Sequence, residues 1–112
     1  MKVKLSKEPS FKQDGLNGYT YPLQHTEMQV NFIDCYEKHE NYCSYARTFV
    51  YYIVDGKGQY KINNDLVDVE KGDLIEIPPN TKFTYKGKMK VLLIIKDGFD
   101  RALSESFEKT DI

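Results

Sequence analysis

Three residues able to bind a metal recur at intervals of four in the first half of the chain: Cys35, His39 and Cys43. On a helix this spacing places all three on one face, and thiolate and imidazole are ligands that zinc prefers. However, residues 30–36 have the pattern of a strand, and residues 37–41 are typical of a solvated loop. Three ligands without a fourth are also a weak zinc signal. We therefore expect two buried cysteines and a loop histidine.

Side chains that could exchange protons with a substrate are few, and most of them are tyrosines. The chain has two histidines, so acid–base catalysis by an imidazole must use His25 or His39. No pair of carboxylates and no Ser-His-Asp order stands out, and phosphate-binding glycine loops are missing. The sequence does not decide whether the protein is an enzyme. The side chains available for acid–base catalysis are His39, Cys43, Tyr45, Tyr51 and Tyr85.

The composition is that of a small globular protein without a nucleic-acid signal. A chain of 112 residues with net charge −1 predicts a single domain over residues 1–112 and no partner among nucleic acids or anionic membranes. No run approaches the roughly 18 apolar residues of a membrane helix, and the N-terminus lacks a signal-peptide pattern. Two cysteines are too few for a disulfide framework. We expect reduced thiols and a cytoplasmic location.

The pattern of turns divides the chain into three parts. Residues 1–26 are rich in turn formers and predict an irregular arm with one edge strand near residues 3–5. Residues 27–96 carry the strand patterns of a barrel core. Residues 97–112 predict a tail or a short helix, since three apolar side chains recur there at intervals of four: Phe99, Leu103 and Phe107.

Within the core, alternation and turn residues predict about eight short strands. Met28, Val30 and Phe32 alternate with polar residues, which predicts a strand that buries those three side chains. The apolar run at residues 49–54 predicts a central strand. Glycines at residues 55–58 and 86–88 predict turns, and residues 63–65 predict a hairpin turn. This spacing favours an all-β closed barrel or sandwich.

Residues 72–83 read Gly-Asp-Leu-Ile-Glu-Ile-Pro-Pro-Asn-Thr-Lys-Phe, and this segment resembles the second conserved motif of the cupins. That motif runs Gly, five residues, Pro, one residue, Gly, two residues, His, three residues, Asn. Gly72 and Pro78 fit the motif, Asn80 stands at the second Gly, and Phe83 stands at the metal-binding His. The resemblance covers residues 28–95 and implies a double-stranded β-helix, a jelly-roll-like antiparallel barrel.

The metal ligands of the cupins are all replaced in this sequence. In the first cupin motif two His and one Glu precede a Gly; counted back from Gly56, the His positions hold Cys43 and Tyr45 and the Glu position holds Phe49. With Phe83 at the fourth position, the resemblance implies that no metal is bound in the usual place. We expect no metal and no cofactor.

If strand alternation continues through the first motif, one set of side chains faces the barrel interior from two sides. Arg47 is the charged member, and a buried guanidinium needs a carboxylate or an anionic ligand as partner. A bulge before Phe49 would instead place Arg47 on the surface. The predicted pocket consists of Cys43, Tyr45, Arg47, Phe49, Tyr51, Phe83 and Tyr85.

Three functions remain compatible with these residues. The first is a metal-free module that binds a small polar metabolite, for example a sugar derivative, in an aromatic-lined cavity. The second is a metal-independent isomerase or epimerase that uses tyrosine and His39 as acid and base. The third is a structural or partner-binding protein whose lumen is filled. An open cavity with a histidine would favour the enzyme. We also expect a homodimer, because small barrels have sheet edges that need covering.

Overall fold

The described part of the chain is built entirely from antiparallel strands. The structure, a computed structural model, describes residues 2–24, 27–39 and 42–96 and the backbone of residues 104–106. Within these residues no helix has the length and apolar character that a membrane crossing requires. The strands are β1 (Phe11–Gln13), β2 (Leu16–Thr20), β3 (Met28–Cys35), β4 (Cys43–Tyr45), β5 (Phe49–Ile62), β6 (Asp65–Glu70), β7 (Leu74–Ile77), β8 (Phe83–Lys96) and β9 (Ser104–Ser106).

Two long strands, β5 and β8, connect the two halves of the fold. Each has 14 residues, and they pair with each other along nearly their whole length. On one half the order of strands is β1-β2-β3-β8-β5-β7, and on the other it is β6-β5-β8-β4-β9. The predicted all-β class and jelly-roll-like barrel are confirmed, because both halves face a shared interior.

The predicted turns at residues 55–58 and 86–88 are wrong. Both segments lie inside the long strands, and Gly56 sits just after a β-bulge between Ile53 and Asp55. Its φ of +82° is a conformation that residues with a side chain rarely adopt, and a Cβ at this position would lie 2.2 Å from the Lys88 carbonyl oxygen. The glycine therefore bends a continuous strand from one half of the fold to the other, where the sequence predicted a reversal.

The turns of the second motif and of the central hairpin are where the sequence predicts them. Gly72 has a φ of +94° in the turn before β7, and β7 ends at Ile77, directly before Pro78. Asn63 has a φ of 53° in the two-residue turn between β5 and β6. Asn80 has a φ of 61°, which explains why asparagine can stand where cupins have a glycine: it is among the residues that best tolerate this conformation.

The N-terminal arm is more ordered than predicted. No strand forms at residues 3–5; instead β1 and β2 make a hairpin that adds to the sheet beside β3. Leu16 of this hairpin is fully buried in the core. In the C-terminal segment Ser104–Ser106 form a strand beside β4 and not a helical turn. The helix prediction at Phe99, Leu103 and Phe107 falls on residues outside the described ones.

Strand β3 buries the opposite face to the one predicted. Asn31, Ile33 and Cys35 point inward and are buried, whereas Met28 is exposed and Phe32 is half-buried. Two polar residues, Gln29 and Asn31, lie on the inner face because they line a cavity. The apolar residues of the outer face are partly covered by a neighbouring strand, as the ring of Tyr19 lies 6.3 Å from that of Phe32.

A row of apolar side chains crosses the outer face of the half of the fold that contains β1, β2, β3 and β7. We expect the predicted homodimer to form through this row. Cross-strand pairing aligns Leu74, Tyr52, Leu92, Phe32 and Tyr19 in this row. Leu74 is 61% exposed and Tyr52 is 41% exposed. Leu92, Phe32 and Tyr19 are half-buried and continue the row, and we expect a second copy of the chain to cover this apolar strip.

Light scattering is therefore expected to give about twice the 13.1 kDa chain mass, and Leu74→Glu is expected to give a monomer. Leu66→Glu serves as the control, since Leu66 is equally exposed on β6 but lies outside the row. A strict 13.1 kDa mass for the unmodified chain at high concentration would contradict the homodimer.

Candidate functional site

A cavity of about 270 Å³ lies inside the barrel, near the lower end of the range for small-molecule sites. One wall comes from β1, β2, β3 and the second half of β8, and it is a mixture of amides, one hydroxyl and apolar side chains. The other wall carries the ionisable and aromatic groups. The lining residues are Phe11, Gln13, Leu16, Thr20, Gln29, Asn31, Ile33, His39, Tyr45, Phe49, Tyr51, Tyr85, Leu93 and Ile95.

The four positions that hold a metal in cupins do meet in this fold, but they form an aromatic cluster. The rings of Tyr45 and Phe49 stack with centroids 4.5 Å apart and planes 8° apart. Phe83 packs against both, with centroids 6.0 Å from Tyr45 and 5.9 Å from Phe49. Cys43 pairs with Phe83 across the strands, and its Sγ lies 3.1 Å from the Tyr45 hydroxyl. Ring packing therefore takes the place of coordination.

The alternative zinc constellation does not assemble either. Cys35 pairs with Met89 and Cys43 pairs with Phe83, so the two thiols lie at different levels of β8. In the part of the chain that the structure describes, no three side chains from His, Cys, Asp and Glu form a group able to hold a metal ion. Burial raises the pKa of Cys35 to about 11 and also raises the pKa of Cys43. Both thiols are consequently poor ligands and poor nucleophiles at neutral pH.

We expect the purified protein to hold no stoichiometric metal, and chelators to leave its melting temperature unchanged. A phenyl ring has no lone pair to offer a divalent ion, and two of the four cupin ligand positions are phenylalanines. Elemental analysis and thermal melts with and without a chelator test this expectation. About one tightly bound zinc, iron or nickel per chain would contradict it.

His39 lies against the cavity, and the prediction that it belongs to a solvated loop is wrong. Only 7% of its surface is exposed. Its backbone N–H donates to the Tyr85 carbonyl at 2.7 Å, and its carbonyl accepts from Thr84 Oγ1 at 3.1 Å. Its ring centroid lies 5.0 Å from that of Tyr85. These bonds span more than 40 residues of sequence, so no local pattern could have revealed the position.

Three buried tyrosines pack against each other, and one of them, Tyr85, also contacts the ring of this histidine. The ring centroids of Tyr51, Tyr60 and Tyr85 lie 4.9 to 5.4 Å from each other. Burial, followed by the proximity of the other ionisable groups, raises the pKa of all three phenols well above the usual value. The Tyr51 and Tyr85 side chains share a hydrogen bond, which acts in the opposite direction on the pKa of Tyr85. At neutral pH these tyrosines are protonated, so the two that line the cavity, Tyr51 and Tyr85, can donate hydrogen bonds to a ligand.

The opposite wall is rich in uncharged hydrogen-bonding groups that the sequence pattern missed. Asn31 is 3% exposed, and its Oδ1 accepts from Thr20 Oγ1 at 2.7 Å. Gln13 and Gln29 add two further amides to the lining. Amides offer both donors and acceptors, so this wall can recognise a ligand by hydrogen bonding without contributing charge.

The structure brings together most of the seven residues predicted for the pocket. Tyr45, Phe49, Tyr51 and Tyr85 line the cavity, while Cys43 and Phe83 are fully buried behind it. Arg47 does not line it, because β4 ends at Tyr45 and the irregular residues 46–48 interrupt the alternation. The Nε atom of Arg47 is buried without a hydrogen-bond partner among the described residues. The role of the seven residues in ligand binding stays a prediction.

Comparison with known proteins identifies the architecture. The structure resembles Pac13, a nucleoside dehydratase from Streptomyces, with 24% identity and a TM-score of 0.89 over 99% of this chain and 95% of Pac13. It also resembles an RmlC-like cupin from Shewanella frigidimarina, with 15% identity and a TM-score of 0.71 over 88% of this chain and 87% of the other. The chain has a cupin fold. KdgF from Halomonas resembles this chain as well, at 11% identity and a TM-score of 0.73 over 86% of this chain and 91% of KdgF.

At these identities the likeness establishes the fold. Structures of Pac13 with uridine include three variants: two replace a tyrosine with phenylalanine, and one replaces a histidine with glutamine. No protein-family model matches the sequence. An uncharacterised protein of Methanocaldococcus jannaschii is 43% identical over 37 residues, and the match covers 33% of this chain and 30% of the relative.

Proposed function

We propose that this cupin is a metal-independent acid–base enzyme that removes water from a small nucleoside or a related sugar derivative. The observation that carries the proposal is the position of His39 and Tyr85 together at the wall of one cavity. An open cavity lined by a histidine favours an enzyme over a filled structural barrel. Imidazole is the side chain that most often exchanges protons near neutral pH.

The chemistry of dehydration suits this set of groups. Elimination of water needs a base that takes a proton from carbon and an acid that protonates the departing hydroxyl group. His39 is the base in this proposal, since the tyrosines are held in their protonated form. Tyr51 or Tyr85 then donates a proton or a hydrogen bond to the leaving oxygen or to a carbonyl that activates the C–H bond. The aromatic cluster below the cavity excludes water from the reacting centre.

The size of the cavity and the comparison with Pac13 support the nucleoside class. About 270 Å³ suits a small metabolite and is too small for a polymer. Pac13 is described as a nucleoside dehydratase, and its variants with uridine change two tyrosines and one histidine. The same residue types line the cavity here as Tyr51, Tyr85 and His39. The isomerase or epimerase alternative uses the same groups but returns the proton to the substrate without loss of water.

The test is a ligand screen followed by product analysis. Ligand-observed NMR with uridine, other nucleosides, free ribose and carbonyl derivatives of nucleosides is expected to show binding of nucleosides. Mass spectrometry of the bound carbonyl derivatives is expected to show loss of one water. The control variant Tyr36→Phe is expected to bind and convert the ligands as the unmodified protein does, because Tyr36 is 50% exposed and lies outside the cavity lining. Binding without any turnover would leave a binding module, and a product of unchanged mass would indicate an isomerase. Absence of binding to every nucleoside would reject the proposal.

A further inference from the structure

We propose that the β1–β2 hairpin reads the base of the ligand, with the Gln13 side-chain oxygen accepting a hydrogen bond from a ring N–H. The inference rests on the proposed function, because it names the part of a nucleoside that this wall of the cavity recognises. The ligand class it specifies is a flat heterocycle that carries both carbonyl and N–H groups, such as a pyrimidine with an imide edge.

Gln13 carries an unused acceptor. It lies in β1 opposite the fully buried Leu16, and both residues line the cavity. Its Oε1 atom is buried and has no hydrogen-bond partner within the described part of the chain. A buried acceptor without a donor is destabilising, and a bound water, ion or ligand is one way in which a native protein satisfies such an atom. The last torsion of glutamine is soft, so a small rotation turns the amide toward a ligand in the cavity.

Phe11 provides a flat apolar surface on the same side of the strand. Residues two apart on a strand face the same way, so Phe11 and Gln13 both point into the cavity from β1. The distal edge of the Phe11 ring occupies the space that a side chain at Gly18 would fill, since a Cβ there would lie 1.9 Å from the ring. The Phe11 ring therefore packs against the backbone of β2 at Gly18. An aromatic ring beside an amide acceptor suits a planar heterocycle better than a sugar, because bases stack on aromatic side chains.

The charges of the wall agree with an uncharged ligand edge. Every polar residue that lines the cavity from β1 to β3 is an amide or a hydroxyl: Gln13, Thr20, Gln29 and Asn31. Neutral amides discriminate between ligands by their pattern of donors and acceptors. Blocking one ring N–H should therefore remove the hydrogen bond to one amide side chain. Gln13 is that residue in this proposal.

The test compares the affinities of uridine and 3-methyluridine, in which a methyl group replaces the N–H hydrogen between the two carbonyls. 5-Methyluridine controls for the added bulk. We expect the unmodified protein to bind uridine about tenfold more tightly than 3-methyluridine, as one hydrogen bond of roughly average strength predicts. In Gln13→Met the ratio of the two affinities is expected to fall to about one. Most of this change should come from weaker binding of uridine. Lys12→Met is the matched control, because Lys12 is the exposed neighbour on the same strand, and it should keep the ratio.

The outcomes separate this inference from the proposed function. If uridine fails to bind the unmodified protein, the assignment of Gln13 is rejected, whereas the proposed function is rejected only if every other nucleoside also fails to bind. If uridine binds but the unmodified protein does not discriminate against 3-methyluridine, or if Gln13→Met keeps the discrimination, only the assignment of Gln13 is rejected. Gln13→Leu also lacks the acceptor oxygen and should likewise lose the preference for uridine, so it decides the question if Gln13→Met does not fold.

Discussion

Replacing His39 with glutamine is expected to lower turnover about 10²- to 10⁴-fold, the usual contribution of a positioned general base. Glutamine has a similar polar reach but cannot exchange a proton near neutral pH. The fold should survive, because the two hydrogen bonds that fix residue 39 use its backbone: its N–H donates to the Tyr85 carbonyl and its carbonyl accepts from Thr84. The measurement is kcat and KM for the ligand that loses water, together with a thermal melt.

A purely structural role for His39 predicts a different result. In that case the melting temperature and the affinity would fall together with kcat. A catalytic base predicts a loss in kcat with KM little changed. Unchanged turnover in His39→Gln would remove His39 from the mechanism and leave the tyrosines as the remaining acid–base groups.

The folded protein is expected to lose stability steeply as the pH rises above about 9. Cys35 has a pKa of about 11 in the folded protein against 9.0 for a free thiol, and the pKa values of Tyr51, Tyr60 and Tyr85 lie well above 10. Below pH 9 these groups are protonated in both states and have no effect. Above it the unfolded chain releases protons that the folded protein retains, which favours unfolding. Each group contributes a slope of up to about 1.4 kcal/mol per pH unit between its unfolded and folded pKa.

Tyr60→Phe separates one group from the others. The Tyr60 hydroxyl is buried without a hydrogen-bond partner among the described residues, so its removal deletes an unsatisfied polar group together with a titrating one. We expect Tyr60→Phe to be more stable by about 1 kcal/mol at neutral pH and to lose stability less steeply at alkaline pH. Urea unfolding followed across pH 7 to about 11 measures both effects. Tyr36→Phe, at an exposed site, should change neither; an unaltered alkaline slope in Tyr60→Phe would contradict the assignment.

The fold could be predicted at positions where the local backbone conformation favours one residue type. Gly72 and Asn80 have a positive φ in turns, and Pro78 directly follows the end of β7. Gly72 and Pro78 carry the resemblance to cupins, and Asn80 stands at the position of the second glycine of the motif. The aromatic cluster at Phe49 and Phe83 could also be predicted, because these residues replace ligands at fixed spacing. Gly56 misled the prediction, since the same φ that permits a turn also permits a bulge within a strand.

The polar wall of the cavity could not be predicted from alternation. A strand pattern assigns apolar residues to the interior, but β3 uses its inner positions for Gln29 and Asn31 and leaves Phe32 outside. A ligand cavity reverses the usual pattern because its polar groups must face inward. The burial of His39 against the cavity and the β1–β2 hairpin were missed for a different reason. Their positions depend on pairing with distant strands, which leaves no local signal.

The two walls of the cavity have different origins in the chain, and this matters for how such a protein diversifies. The amide wall comes mainly from the first three strands, whereas His39, Tyr51 and Tyr85 come from later segments. Exchange of the N-terminal third between related cupins would therefore replace ligand recognition in one recombination step while the proton-exchanging groups stay in place. Chimaeras joined in the connection between β3 and β4 are the natural starting point for altering selectivity without rebuilding the chemistry.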